Sequence, residues 1–170
     1  FDELKRKIDS DAVPKRWYAR VKQRADELLH EPVRPFGTNP SNFQILEHSR
    51  EMENRTFILS LAYQIERERP YLDRLWLEIE NTASYPTWKP SSFLSVAEML
   101  LAYGIAYDWN YLDWTPEQRR FILDTMLDKG LTYGVDAYNG IVSGTHFVNA
   151  THNWNLVCNV GLMMAAIAIA

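Results

Sequence analysis

His146–Ala170 reads HFVNATHNWNLVCNVGLMMAAIAIA, and the reading of this stretch decides the fold. Its first half crowds His146, Asn149, His152, Asn153, Trp154, Asn155 and Asn159 into a short window, and its second half is almost wholly apolar. A helix that is apolar on every side belongs inside a domain, not on its surface. Amides and an imidazole at the mouth of such a helix need partners or a role, because an unpaired buried polar group costs about 1–3 kcal/mol. The rest of the chain then reads as scaffold for that mouth.

Composition sets the bounds. A chain of 170 residues, 46% hydrophobic, is long enough for one domain with a real core. The net charge of −4 leaves no electrostatic footprint for nucleic acid, and the small basic clusters at Lys5–Lys7 and Lys15–Arg16 read as solvated helix faces. Cys158 is the only cysteine, so there is no internal disulfide, and its place within the apolar helix marks a buried, inert thiol. The run Val160–Ala170 is too short to span a bilayer, and no membrane span is expected. No metal site is expected, since His146 and His152 do not share a helical face and neither an HExxH motif nor a cysteine pair is present. No P-loop or dinucleotide fingerprint occurs either, and no cofactor is expected. Ala170 falls inside an apolar helical run with no glycine or proline to end it, so residues 1–170 read as the N-terminal part of a larger protein.

Working outward, the chain reads as seven helices. Two amphipathic helices, Phe1–Ser10 and Val13–Leu29, precede a proline-dotted connection from His30 to Glu47. A third helix runs from about Arg50 to Arg67, and a fourth from Tyr71 to about Thr82. After a turn-rich link carrying Trp88, Ser91 or Ser92 caps a fifth helix, Phe93 to about Asp108. Thr115 and Pro116 open a sixth that reaches about Lys129. Gly130–Ala150 reads as a loop, and Asn149 or Thr151 caps the seventh. No segment shows a convincing strand pattern.

The third, fifth and seventh helices read as apolar nearly all round, the fourth and sixth as amphipathic. Short links join three to four and five to six, and long ones precede three, five and seven. That pattern predicts an all-α fold of helical hairpins wound into an incomplete (α/α) toroid, with the third, fifth and seventh helices inside and parallel. Their N-termini would share one end with the long loops, where sites commonly lie, and would favour an anion. Trp88, Ser91, Ser92 and Glu98 are expected near the Thr151–Asn155 mouth. His152, Asn155 and Asn159 fall on one face of the last helix, with Asn153 and Trp154 turned elsewhere. Amides and imidazole beside a tryptophan suit a sugar, whose ring stacks on the aromatic while the amides take its oxygens. Each residue also has a plainer role open to it: Asn149, Thr151 or Asn153 as a cap, His152 and Asn159 as structural hydrogen-bonders, Glu98 as a buried paired carboxylate.

FLSVAEMLLAYGIAYDW, WTPEQRRFILDTMLDKGL and above all HNWNLVCNVGLMMAAIAIA resemble the heparinase II/III-type polysaccharide lyases, as does the opening FDELKRKI…WYARVKQRADELL. The resemblance covers nearly the whole chain, and NWNLVCN is its most specific part. It implies the N-terminal portion of an α/α-toroid domain, with the remainder of the toroid and a C-terminal β-sandwich supplied by further chain. It implies β-elimination on a uronate-containing polysaccharide such as heparan sulfate, heparin or alginate, in the bacterial periplasm or outside the cell. Related toroids include uronyl C5-epimerases, and a non-catalytic carbohydrate-binding toroid is a third reading. By the motif, Asn153 neutralises the uronate carboxylate, with Asn155 the alternative and His152 auxiliary. Trp88 and Trp154 would be sugar platforms, and Glu98 and Asn159 further substrate contacts. The family's tyrosine and histidine base and acid match no position here, so residues 1–170 alone are expected to be inactive.

Overall fold

The computed structural model describes residues 1–142 and 146–170, and every regular element among them is helical. In chain order they are α1 (Asp2–Ser10), α2 (Ala12–Leu28), α3 (Asn42–Glu66), α4 (Arg69–Ala83), α5 (Leu94–Trp109) and α6 (Pro116–Met126). A π-helical turn, Leu127–Leu131, carries α6 on into α7 (Thr132–Tyr138), and α8 (Asn153–Ala168) closes the order.

Four local expectations need correction. The third helix starts at Asn42, well before Arg50, because Ser41 and Gln44 form a reciprocal capping box inside what reads as a connection. Neither Ser91 nor Ser92 caps α5; Phe93 occupies the N-cap position in a left-handed conformation, with φ of 59°, and no side chain caps the helix there. The expected loop from Gly130 is helical as far as Tyr138, and Gly134 serves close packing there, since a Cβ at that position would sit 2.2 Å from Leu162 Cδ2. The last helix is capped by His152, not by Asn149 or Thr151. The start of α6 agrees with the sequence: Thr115 caps it through its own capping box, with Pro116 in the first turn.

α3, α5 and α8 run parallel. At one end Asn42 Nδ2 lies 3.5 Å from Ser91 Oγ, and at the other Gln64 Nε2 donates to the Trp109 carbonyl at 2.6 Å, which sets α3 alongside α5. Gly161 of α8 rests on Ala97 and Gly104 of α5 on Ala165, so these two helices advance in the same direction. A Cβ on Gly161 would fall 2.2 Å from the Ala97 carbonyl oxygen, and only glycine permits that approach. α4 covers α5 from behind, with the Tyr103 hydroxyl donating to the Ile79 carbonyl at 2.8 Å. Trp76 of α4 meets Trp114 and Phe121 beside and within α6, with ring centroids 5.8 and 5.4 Å apart. The N-termini of α3, α5 and α8 therefore share one end, as the pattern of long links predicts.

Burial is less uniform than the sequence suggests. α5 is buried nearly all round, but α3 places His48, Ser49, Arg55, Thr56 and Ser60 in the interior. Glu78 takes the guanidinium groups of Arg55 and Arg74, while Arg55 donates to the Pro32 carbonyl at 3.1 Å and Arg74 to that of Glu31. This buried ionic knot fastens the proline-dotted connection to α3 and α4, and each charge in it is paired, as burial requires. α8, apolar on every side by sequence, is buried on one side only: Cys158, Gly161 and Ala165 face α5, while Leu156, Met163 and Ile167 are exposed. No helix among the described residues is long and apolar enough to cross a membrane.

Candidate functional site

His152 is the N-cap of α8, with extended backbone, and its Nδ1 accepts from the Trp154 N–H at 3.4 Å. The exposed imidazole stands edge-on to the half-buried Trp154 ring, centroids 6.0 Å apart. Phe147, in the segment before α8, stacks on Phe93 at 4.4 Å and brings the start of α8 against the start of α5.

The two candidate asparagines have different environments. Asn155 Nδ2 donates to the carbonyls of Phe147 and Val148 at 3.0 and 3.4 Å, holding the preceding segment against the helix. Asn159 Nδ2 donates to the Asn155 carbonyl at 2.8 Å, and its Oδ1 accepts from the Tyr138 hydroxyl. Asn155 and Asn159 do share a face, and that face is turned to structural partners. Asn153, the first residue of the helix, is exposed, and its side chain makes no hydrogen bond among the described residues. At i, i+3, i+4 and i+7 it shares a side of α8 with Leu156, Val157 and Val160.

Those three residues line a groove of about 350 Å³ whose other walls are Ala97, Glu98 and Leu101 of α5 and Glu53 of α3. Glu98 is buried, and both carboxylate oxygens are engaged: Oε2 lies 2.9 Å from Ser49 Oγ, and Oε1 accepts from Arg50 Nε at 3.3 Å. Ser49 Oγ is also 2.8 Å from the Leu46 carbonyl, so its one proton is shared. Burial and the neighbouring Glu98 charge raise the Glu53 carboxyl above the usual range, against the opposing pull of Arg50. Burial, with a contribution from Glu98, pushes the Cys158 thiol up to about 12, so it is inert as a nucleophile at neutral pH. A second groove, of about 470 Å³ between α7 and α8, is almost wholly apolar, with Tyr138, Asn139 and Asn159 its polar members.

Trp88 is not at this surface. Its ring is 1% exposed, it packs on Tyr103 at 5.0 Å, and its Nε1 donates to the Thr82 carbonyl at 3.0 Å. A tryptophan in that position is a core residue and has no face to offer a sugar. The reading by sequence also missed Ser49, Arg50 and Glu53, which meet Glu98 only because α3 and α5 are parallel and in register. Among the described residues no group of three or more histidine, cysteine or acidic side chains could hold a metal.

No family model matches the chain, and no curated protein matches it.

Proposed function

We propose that this chain is part of an α/α-toroid polysaccharide lyase that cleaves a uronate-containing polymer by β-elimination, with Asn153 as the group that neutralises the uronate carboxylate. The single observation that carries the reading is the state of the Asn153 amide. It is exposed and without a partner among the described residues, at the positive end of α8, on the side of the helix that leads to the Glu53–Glu98 groove. The resemblance of HNWNLVCNVGLMMAAIAIA to heparinase II/III-type lyases supplies the reaction. The parallel α3, α5 and α8, backed by α4 and α6, fit helical hairpins wound toward a toroid.

In that reaction a base removes the C5 proton of the uronate, the C4–O4 bond breaks, and O4 takes a proton from an acid as the C4–C5 double bond forms. The C5 proton is acidic enough only when the adjacent carboxylate is neutralised, since charge develops there in the transition state. A preorganised amide donor aimed at that charge is the electrostatic device such a step needs. The base and acid would come from outside the residues described, as would a β-sandwich domain, and the periplasm or the cell exterior is where such a polymer is met. Trp154, half-buried beside His152, is the aromatic that remains available to a sugar.

The test follows ultraviolet absorbance of the unsaturated uronate while the intact protein is incubated with heparan sulfate, hyaluronan, chondroitin and alginate. A rise with one polymer is expected, and Asn153→Ala should lower kcat by about 10²–10³. A flat trace with C5 hydrogen exchange into solvent would replace the lyase by a uronyl epimerase. A flat trace with binding and no exchange would leave a carbohydrate-binding toroid.

A further inference from the structure

We infer that Arg50 is the guanidinium that grips a carboxylate of the bound uronan, held in place by Glu98. The inference rests on the reading of the chain as a uronan-acting protein and names the residue that gives it preference for acidic sugar. Arg50 lies one turn N-terminal to Glu53 on α3, as Asn153 lies one turn N-terminal to Leu156 and Val157 on α8. Arg50 reaches the groove through its bond to Glu98, one of the residues that line it, and Asn153 stands on the side of α8 that supplies Leu156, Val157 and Val160.

The Arg50 side chain is 58% exposed while that of its partner Glu98 is 11% exposed, so the pair has a fixed base and a solvent-facing head. Its one hydrogen bond among the described residues runs from Nε to Glu98. A guanidinium anchored through Nε keeps its two terminal nitrogens as a planar fork, which matches a carboxylate in two parallel hydrogen bonds. Anchoring also removes part of the ordering cost of an arginine side chain on binding. Among the described residues the groove itself is lined by no lysine or arginine, and Arg50 stands beside it on the lining residue Glu98.

The surrounding acids do not defeat this. The Glu98 carboxylate is already occupied by Ser49 and Arg50. Glu53 holds its proton more readily than an ordinary glutamate, which lessens its repulsion of an incoming anion. Glu98 is thus a positioning residue for Arg50, with no contact to the polymer required of it.

The experiment titrates the intact protein calorimetrically with alginate-derived and heparan-sulfate-derived tetrasaccharides, and with the same tetrasaccharides after their carboxylates are reduced to alcohols. Arg50→Ala should weaken binding of an acidic tetrasaccharide by about tenfold or more while leaving the neutral form unchanged. Arg50→Lys, which keeps the charge and loses the fork, should recover part of that affinity. Glu98→Gln should give a smaller loss, again confined to the acidic form. Equal weakening toward acidic and neutral forms, or none for the acidic form, overturns the role of Arg50 while the uronan reading stands. A wild-type protein that binds none of the acidic tetrasaccharides overturns both.

Discussion

Asn153 and Asn155 are two positions apart in α8 and carry the same side chain, yet their amides do different things. Asn155 holds two carbonyls of the preceding segment, whereas Asn153 donates to nothing among the described residues. Asn155→Ala should therefore lower stability by about 1 kcal/mol, seen as a fall in Tm, while Asn153→Ala leaves Tm unchanged. Equal melting of the two variants would contradict the division of labour drawn here. The sequence motif left the two asparagines as alternatives, because an amide's partners are set by how the chain before the helix folds back.

At the scale of the element, the α5–α8 contact depends on a missing side chain. Gly161 brings the two helices close enough that a Cβ would strike the Ala97 carbonyl oxygen at 2.2 Å. Gly161→Ala has to push α8 away from α5, and the expected cost is about 1–3 kcal/mol, read as a lower urea midpoint with an unchanged slope. The gain in helix propensity from the same change, about 1 kcal/mol, works in the opposite direction and is expected to lose. A neutral or stabilising result would mean that α8 does not lie in close contact with α5. Sequence showed an apolar helix with a glycine in it, and nothing in the sequence names Ala97 as the neighbour. The start of α3 was missed for a different reason: the local capping chemistry of Ser41 and Gln44 was masked by the prolines before it.

For the molecule as a whole, pH-dependent stability should report the buried polar interior. His48 is buried, its Nδ1 has no hydrogen-bond partner among the described residues, and burial with the nearby Arg34 charge lowers its pKa below 6.5, against weaker opposing pulls from Glu51 and Glu47. Below about pH 6.5 the unfolded chain takes up a proton there that the folded chain refuses, so stability falls as pH drops through 6.5 toward the folded value and then levels off. His48→Gln should flatten that part of the stability–pH curve in chemical denaturation, and an unchanged curve would clear His48 of the effect.

The sequence by itself determined the all-helical class, most of the helix positions, the shared end of α3, α5 and α8 and the polar mouth of α8, because periodicity, caps and link lengths are local or nearly so. It also carried the resemblance from which the chemistry is proposed. The tertiary structure alone decided that Trp88 is core, that Asn155 is engaged and Asn153 is not, and that Arg50 is tied to Glu98 across 48 positions of chain. These depend on which helices lie side by side and in what register, and contacts between residues distant in the chain leave no trace in the local pattern of either partner.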